Sequence, residues 1–331
     1  MFKKAKKILK DSVVIDAHLD LGGIVYNNRI LGKTKILNEL FLSDFREASV
    51  NFIIAAIFVE TPFLDSALKM ALLQIEHLKA DIKECKDFVL VKNSFEMEEA
   101  LKENKIGIIM SLEGLEPIGR NIELLNTFYE LGIRGFGVTW SRRNFVADGS
   151  YFASPREGVL GGLTPFGIEV MKKAEELGLF IDISHINDIG FKDVFKYTTS
   201  AIIASHSNSR KLNNITRNLN DEQIIKIANR NGVIGVNAYK SIVSSNELKQ
   251  NIIGLCDHID YIVNLTSDEN IGFGFDLCTK YYNTGKMYDS LRDHKEIIGL
   301  TIELLNRGYS EKSIKNIIGN NFYSYLLEKL R

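Results

Sequence analysis

The stretch VVIDAHLDL, residues 13–21, places His18 and Asp20 two positions apart where an apolar run ends. Alternate side chains of a strand share a face, so this imidazole and this carboxylate point the same way. Similar polar endings recur downstream: Glu113 closes GIIMSLE, His185 closes LFIDISH, His206 closes AIIASH and Asp276 closes IGFGFD. A single strand-end histidine is ordinarily scaffolding, and a single strand-end aspartate ordinarily caps the next helix. Six such residues at the same end of successive apolar runs outweigh that reading. Three imidazoles with several carboxylates suit zinc or a similar first-row metal. The groups outnumber the ligands one ion uses, and Glu113 falls between two sets, which points to two ions sharing a bridging carboxylate. Such a pair activates water at neutral pH and polarises a carbonyl. Asp276 is then left over as the acid–base group for the water's proton. The other histidines, His77, His258 and His294, lie in charged stretches and read as solvated-face residues.

These residues need a scaffold that brings strand ends together. Eight short β-branched runs span residues 13–18, 51–59, 107–113, 133–140, 179–185, 201–206, 232–237 and 271–276. Helix-like periodicity fills 66–84, 93–103, 120–131, 165–177, 188–197, 221–231 and 246–265, and two or three further helices are expected after the eighth run. Nearly continuous apolar strands separated by helices read as a parallel sheet. Eight of them predict an α/β fold closed as a (β/α)8 TIM barrel with extra C-terminal helices, whose strand C-termini all lie on the face where active sites are built. An open doubly wound sheet would carry a Gly-rich phosphate loop after its first strand, whereas HLDLGG follows here.

Bulk composition agrees with one globular domain over 1–331. Apolar residues make up 45% and charged residues 25%, with only four prolines and no Ser/Gly-rich linker. A net charge of −1 gives no electrostatic footprint for nucleic acid. Three distant cysteines fit neither a disulfide framework nor a zinc-finger spacing. The basic start MFKKAKKILKDS has no apolar run of signal-peptide length and reads as an amphipathic helix packed on the barrel. No stretch could span a bilayer. The expected setting is cytoplasmic, with no membrane partner.

The ordered pieces IDAHLDL, SLEG, GIRGFGVTW, GLTPFGIEVMKKAEELGLFIDISH, IIASHSNSRKL, TRNLNDEQI and IGFGFD resemble the membrane (renal) dipeptidase family, binuclear-zinc dipeptidases of the amidohydrolase-like barrels. The tail GNNFYSYL echoes the family's ending. The resemblance implies that His18 and Asp20 bind one zinc, that Glu113 bridges, and that His185 and His206 bind the second. It implies that Arg217 clamps the terminal carboxylate of a dipeptide and that Asp276 is the strand-eight proton carrier. It also implies tolerance of a D-residue at the C-terminal position and a homodimer as the common assembly. Hydrolysis of another small amide, an N-acyl amino acid or a lactam, is the alternative, and a non-catalytic metal-binding relative is a third.

Two departures from the family pattern stand out. The motif DFDG reads DLCT, with Cys278 in place of the second acid. The family's histidine after strand four is Trp140, whose indole donates one hydrogen bond and carries no charge. Trp140 is therefore expected to wall the substrate pocket, with Arg142, Arg143 and Asn144 supplying polar contacts from the same loop.

Overall fold

A computed structural model describes residues 1–151 and 158–331. Its strands are β1 (Val14–Leu19), β2 (Val50–Phe58), β3 (Phe88–Leu90) and β4 (Ile106–Glu113). They continue as β5 (Ile133–Gly137), β6 (Phe180–Asp182), β7 (Ile234–Val236) and β8 (Ile271–Phe273). One parallel sheet runs β1-β2-β4-β5-β6, and β7 pairs with β8. Residues 202–204 join the two sheets, through bridges from Asp182 to Ile203 and from Ala204 to Ile234. Across the remaining gap, the Asp276 N–H donates to the His18 carbonyl at 3.2 Å, and the Phe275 N–H donates to Asp16 Oδ1 at 2.9 Å. The ring β1-β2-β4-β5-β6-(202–204)-β7-β8 is thus a TIM-type barrel whose positions are filled by the eight runs expected. β3 lies outside the ring, pairing with the first half of β4 below the point where β5 joins.

The inward faces of the strands change character along their length. Phe52 and Ile54 of β2, Ile109 of β4, Phe180 of β6 and Ile203 form a buried apolar cluster with Phe322 of the C-terminal helix. Two residues further along the same faces come Ser111, Asp182 and Ser205, and then Glu113. The opposite faces, with Ile53, Ala55, Ile108 and Met110, belong to the larger cluster beneath the helices. Apolar residues therefore plug the base of the barrel and polar ones line its top.

The helices between strands begin where short polar side chains satisfy their first N–H groups: Asn93, Thr164, Asn187, Asn220 and Asn251 all accept such bonds. Gly132 and Gly178 end two of them in the left-handed conformation. The helix Phe2–Lys10 matches the expected N-terminal amphipathic one. Helices Leu21–Arg29 and Ser43–Glu47 were not expected, because Gly22, Gly23 and a run of asparagines give the first a poor helical pattern. After β8 come four helices where two or three were expected, at Thr279–Tyr282, Ile297–Asn306, Glu311–Lys315 and Asn321–Lys329. No helix among the described residues is long and apolar enough to cross a membrane.

Candidate metal centre

His18, Asp20, Glu113, His185, His206 and Asp276 converge at the C-terminal mouth of the barrel. His18 Nε2 lies 3.6 Å from Glu113 Oε2, 3.9 Å from Asp276 Oδ1 and 4.0 Å from Asp20 Oδ1. Glu113 Oε1 lies 3.1 Å from His185 Nε2 and 3.7 Å from His206 Nε2. The two oxygens of Glu113 thus face two sets of groups, as a bridging carboxylate must. Among the described residues three clusters have all their donor atoms within 4.8 Å of one another: Glu113, His185 and His206; His18, Asp20 and Asp276; and His18, Asp182 and His206. The second places Asp276 beside His18 and Asp20.

Backbone conformation aims two of these side chains. His185 and Asp276 have φ of 70° and 55°, in the left-handed region that non-glycine residues enter at a cost. Each follows the end of a strand and turns the chain so that its side chain enters the mouth.

Hydroxyls and carboxylates behind the imidazoles hold the rings. Ser141 Oγ sits 2.7 Å from His185 Nδ1. Ser205 Oγ sits 2.6 Å from His206 Nδ1 and donates to Asp182 Oδ2 at 2.5 Å. With the serine proton given to the Asp182 carboxylate, His206 Nδ1 is the side that carries a hydrogen, which leaves Nε2 with a free lone pair. Asp182 also comes within reach of His18 and His206, but its oxygens already accept from Ser184 N–H, Ser205 N–H and the Ser205 hydroxyl. These buried supports were missed in the sequence, although the Asp-x-Ser-His spacing at residues 182–185 carried a signal.

The electrostatics suit a cation. Burial disfavours a charged imidazole at His18, but Glu113, Asp276 and Asp20 more than offset it and raise its pKa to about 10. Burial lowers His185 to about 3, with Arg217 adding to the effect, and also holds His206 well below the usual range. Asp276 is pushed up to about 6 by burial. Three carboxylates crowd one imidazole while two other imidazoles stay neutral, which is the donor set a divalent ion wants. The buried His18 Nε2 and Asp20 Oδ1 have no hydrogen-bond partner among the described residues, so the residues present fit such an ion.

Around this centre, Asn237 Nδ2 donates to Asp276 Oδ2 at 3.0 Å, and the Cys278 thiol lies 3.4 Å from Asp276 Oδ1. Arg217 is buried, donating to Ser207 Oγ at 2.9 Å and to the His206 carbonyl at 2.8 Å. Its Nε has no partner among the described residues. Trp140 packs its ring near-parallel to His185 at 5.7 Å and against Phe58 at 5.2 Å.

Two expectations need correction. Arg142 is committed to Glu116 and the Val59 carbonyl, and Arg143 to Asp148. Asn144 closes its own turn by accepting from Val146 and Ala147. These bonds fold the loop that follows Trp140, and buried Arg142 is spent on it. His258 and His294 are not solvated: each is 1% exposed. His258 contacts the Val243 carbonyl at 2.8 Å, and His294 meets Asp16 at 2.8 Å.

The model for the family described as membrane dipeptidase, Peptidase family M19, matches residues 2–327. An uncharacterized dipeptidase of Schizosaccharomyces pombe is 27% identical, over 96% of this chain and 81% of its own length. Dipeptidase 3 of Macaca fascicularis is 25% identical, over 96% of this chain and 65% of its own. Among solved structures, a family M19 dipeptidase called dipeptidase AC superposes with a TM-score of 0.85 at 24% identity, covering 96% of this chain and 98% of that one. A metallopeptidase from Rhodobacter sphaeroides, liganded with a phosphinate mimic of the dipeptide L-Ala-D-Ala, superposes with a TM-score of 0.84 at 23% identity, covering 97% and 100%. At these identities the two structures show the fold.

Proposed function

The chain belongs to the membrane dipeptidase family, peptidase family M19, and is a metallo-dipeptidase, and from that premise we propose that it uses two zinc ions to hydrolyse dipeptides, including those with a D-residue at the C-terminal position. In this reading His18 and Asp20 hold one ion, His185 and His206 hold the other, and Glu113 joins them. The observation that carries it is the placement of the two Glu113 oxygens between two sets of buried nitrogen and oxygen donors. Bound there, zinc would supply an activated water and a Lewis acid for the scissile carbonyl.

The chain's own groups account for the remaining steps. Asp276 stands beside the centre and takes the proton of the attacking water, then delivers it to the leaving amine. Asn237 holds one oxygen of Asp276 so that the other faces His18. Arg217 offers its unpartnered Nε to the substrate's terminal carboxylate, while its other nitrogens stay tied to Ser207 and His206. Support for the D-residue comes from the Rhodobacter sphaeroides relative and its L-Ala-D-Ala mimic.

A screen of the zinc-loaded protein against L,L- and L,D-dipeptides, N-acyl amino acids and lactams tests the reading. Cleavage of dipeptides ahead of the other classes is expected. Hydrolysis of N-acyl amino acids alone would replace it.

A further inference from the structure

The mouth of the barrel has two chemically different sides. Counting around the ring, the segment 202–204 that leads to His206 is the sixth position and β2 is the second, so they are diametrically opposed. Arg217 is fixed on the sixth side. The second side ends in Phe58, Val59 and Glu60, and Glu60 Oε1 accepts a hydrogen bond from the Tyr281 hydroxyl at 2.7 Å. Tyr281 comes from the loop after β8 and lies over the start of the helix that follows Asp20. A Cβ on Gly23 would fall 2.6 Å from its ring, so glycine is needed for Tyr281 to seat. Lys280, bonded to Asp44 at 2.6 Å, anchors the same loop.

Aromatic rings also come from the elements on either side of β2 in the barrel. Towards β5 stand Phe58 and Trp140, 5.2 Å apart. Towards β8, Tyr281 meets Tyr282 edge-on at 5.3 Å, Tyr282 meets Tyr288 at 4.9 Å, and Tyr288 stacks near-parallel to Tyr239 at 6.3 Å. Phe58, Trp140 and Tyr281 are half-buried. Glu60 is half-buried too, and among the described residues it has no ion pair.

A dipeptide carries its carboxylate and its ammonium at opposite ends, roughly 7 Å apart when extended. With the carboxylate on Arg217, the ammonium points to the second side. The tyrosine hydroxyl fills only one of the acceptor sites of Glu60, which leaves room for a cation. We propose that Phe58, Glu60, Trp140 and Tyr281 form the subsite for the amino-terminal residue: Glu60 accepts the free α-ammonium, and the rings hold an apolar or aromatic side chain. This rests on the dipeptidase reading and adds a substrate class to it, namely unblocked dipeptides with a large apolar or aromatic first residue. Trp140 then works as a wall for the substrate side chain.

The test compares Phe-Ala, Ala-Ala and N-acetyl-Phe-Ala on the zinc-loaded wild type, Glu60→Gln and Trp140→Ala. Phe-Ala should exceed Ala-Ala in kcat/KM by roughly two- to tenfold for each ring contact made. Unblocked Phe-Ala should exceed its acetylated form by about a hundredfold, as when one partner of a desolvated charge pair is removed. Glu60→Gln should shrink the second ratio, through KM and with zinc content unchanged, and Trp140→Ala should shrink the first. A Glu60→Gln enzyme with the wild-type ratio overturns the subsite, and so does a wild type indifferent to phenylalanine. Failure of the dipeptidase reading looks different: no unblocked dipeptide is cut by any form. In that case Trp140, the single tryptophan, still reports binding. Phe-Ala should change its emission at lower concentration in the wild type than in Glu60→Gln, and equal affinities would overturn the proposal.

Discussion

Asp16 and His294 are 278 residues apart in the chain and 2.8 Å apart in the fold. Asp16 also accepts from the N–H groups of Phe275 at 2.9 Å and His18 at 3.2 Å. One buried carboxylate thus ties β1, the residue before Asp276 and the 3-10 turn His294–Glu296 into a single seam. Asp16→Ala would leave these donors unpaired, and a loss of about 3 kcal/mol in urea unfolding is expected. Zinc affinity should fall with it, because His18 and Asp276 are positioned from the two sides of the seam. Asp16→Asn keeps an acceptor and should be milder. Wild-type stability in Asp16→Ala would mean that the backbone ladder alone closes the barrel.

Metal content gives the second prediction. Elemental analysis of protein purified without chelator should find about two zinc-like ions per chain, since one tetrahedral site uses only four ligands. Glu113→Gln should lower this to one or fewer and remove most activity, because it loosens both ions together. A wild-type stoichiometry that stays at one after zinc supplementation counts against the shared carboxylate.

Asp276 and Arg217 should separate kinetically. Asp276→Asn is expected to lower kcat by roughly 10²–10⁴, the range of a lost acid–base group, with zinc content nearly intact. Loss of zinc in this variant would instead make Asp276 a ligand alongside His18 and Asp20. Arg217→Ala should mainly raise KM, as removal of a clamp that holds ground and transition states alike does. An unchanged KM for free dipeptides would place the carboxylate elsewhere.

Asp289 sets a pH dependence outside the centre. Burial pushes its carboxyl from 3.8 up to about 6, against the pull of the Thr279 hydroxyl and the Thr279 and Cys278 N–H groups. In that interval the fold binds a proton that the unfolded chain has released. The group's contribution to stability is therefore full below the unfolded value and lost as pH rises through about 6. Asp289→Asn does not titrate, so it should gain stability relative to the wild type between pH 4.5 and 7 in urea unfolding. A difference that stays flat with pH would show that Asp289 titrates normally.

Much of this site was readable because its residues end apolar runs. His18, Glu113 and His206 each follow several β-branched or small residues, and the barrel brings such ends to one face. Apart from the Asp-x-Ser-His spacing at residues 182–185, what supports them was not readable. Asp16 sits inside its run and looks like a strand aspartate until residue 294 reaches it. His258 and His294 occur among charged neighbours, and only the packing of the helices after β7 and β8 buries them. Arg142 looked available because its partners, Val59 and Glu116, come from two other loops. Helix Leu21–Arg29 escaped notice because Gly23 serves the seating of Tyr281 rather than helix propensity.

The join between β1 and β8 also constrains how the protein is made. The first strand has a neighbour as soon as β2 emerges, but its other edge stays open until β8 and the residues after it have been synthesised. His18 and Asp20 therefore wait for Asp276 until more than 250 further residues have been made, and Asp16 waits longer for His294. Contacts of such sequence separation form late and slowly. The half-closed sheet meanwhile exposes an unpaired strand edge, a hazard for self-association. A nascent chain can present His18 and Asp20 to an ion well before the acid that completes their cluster exists.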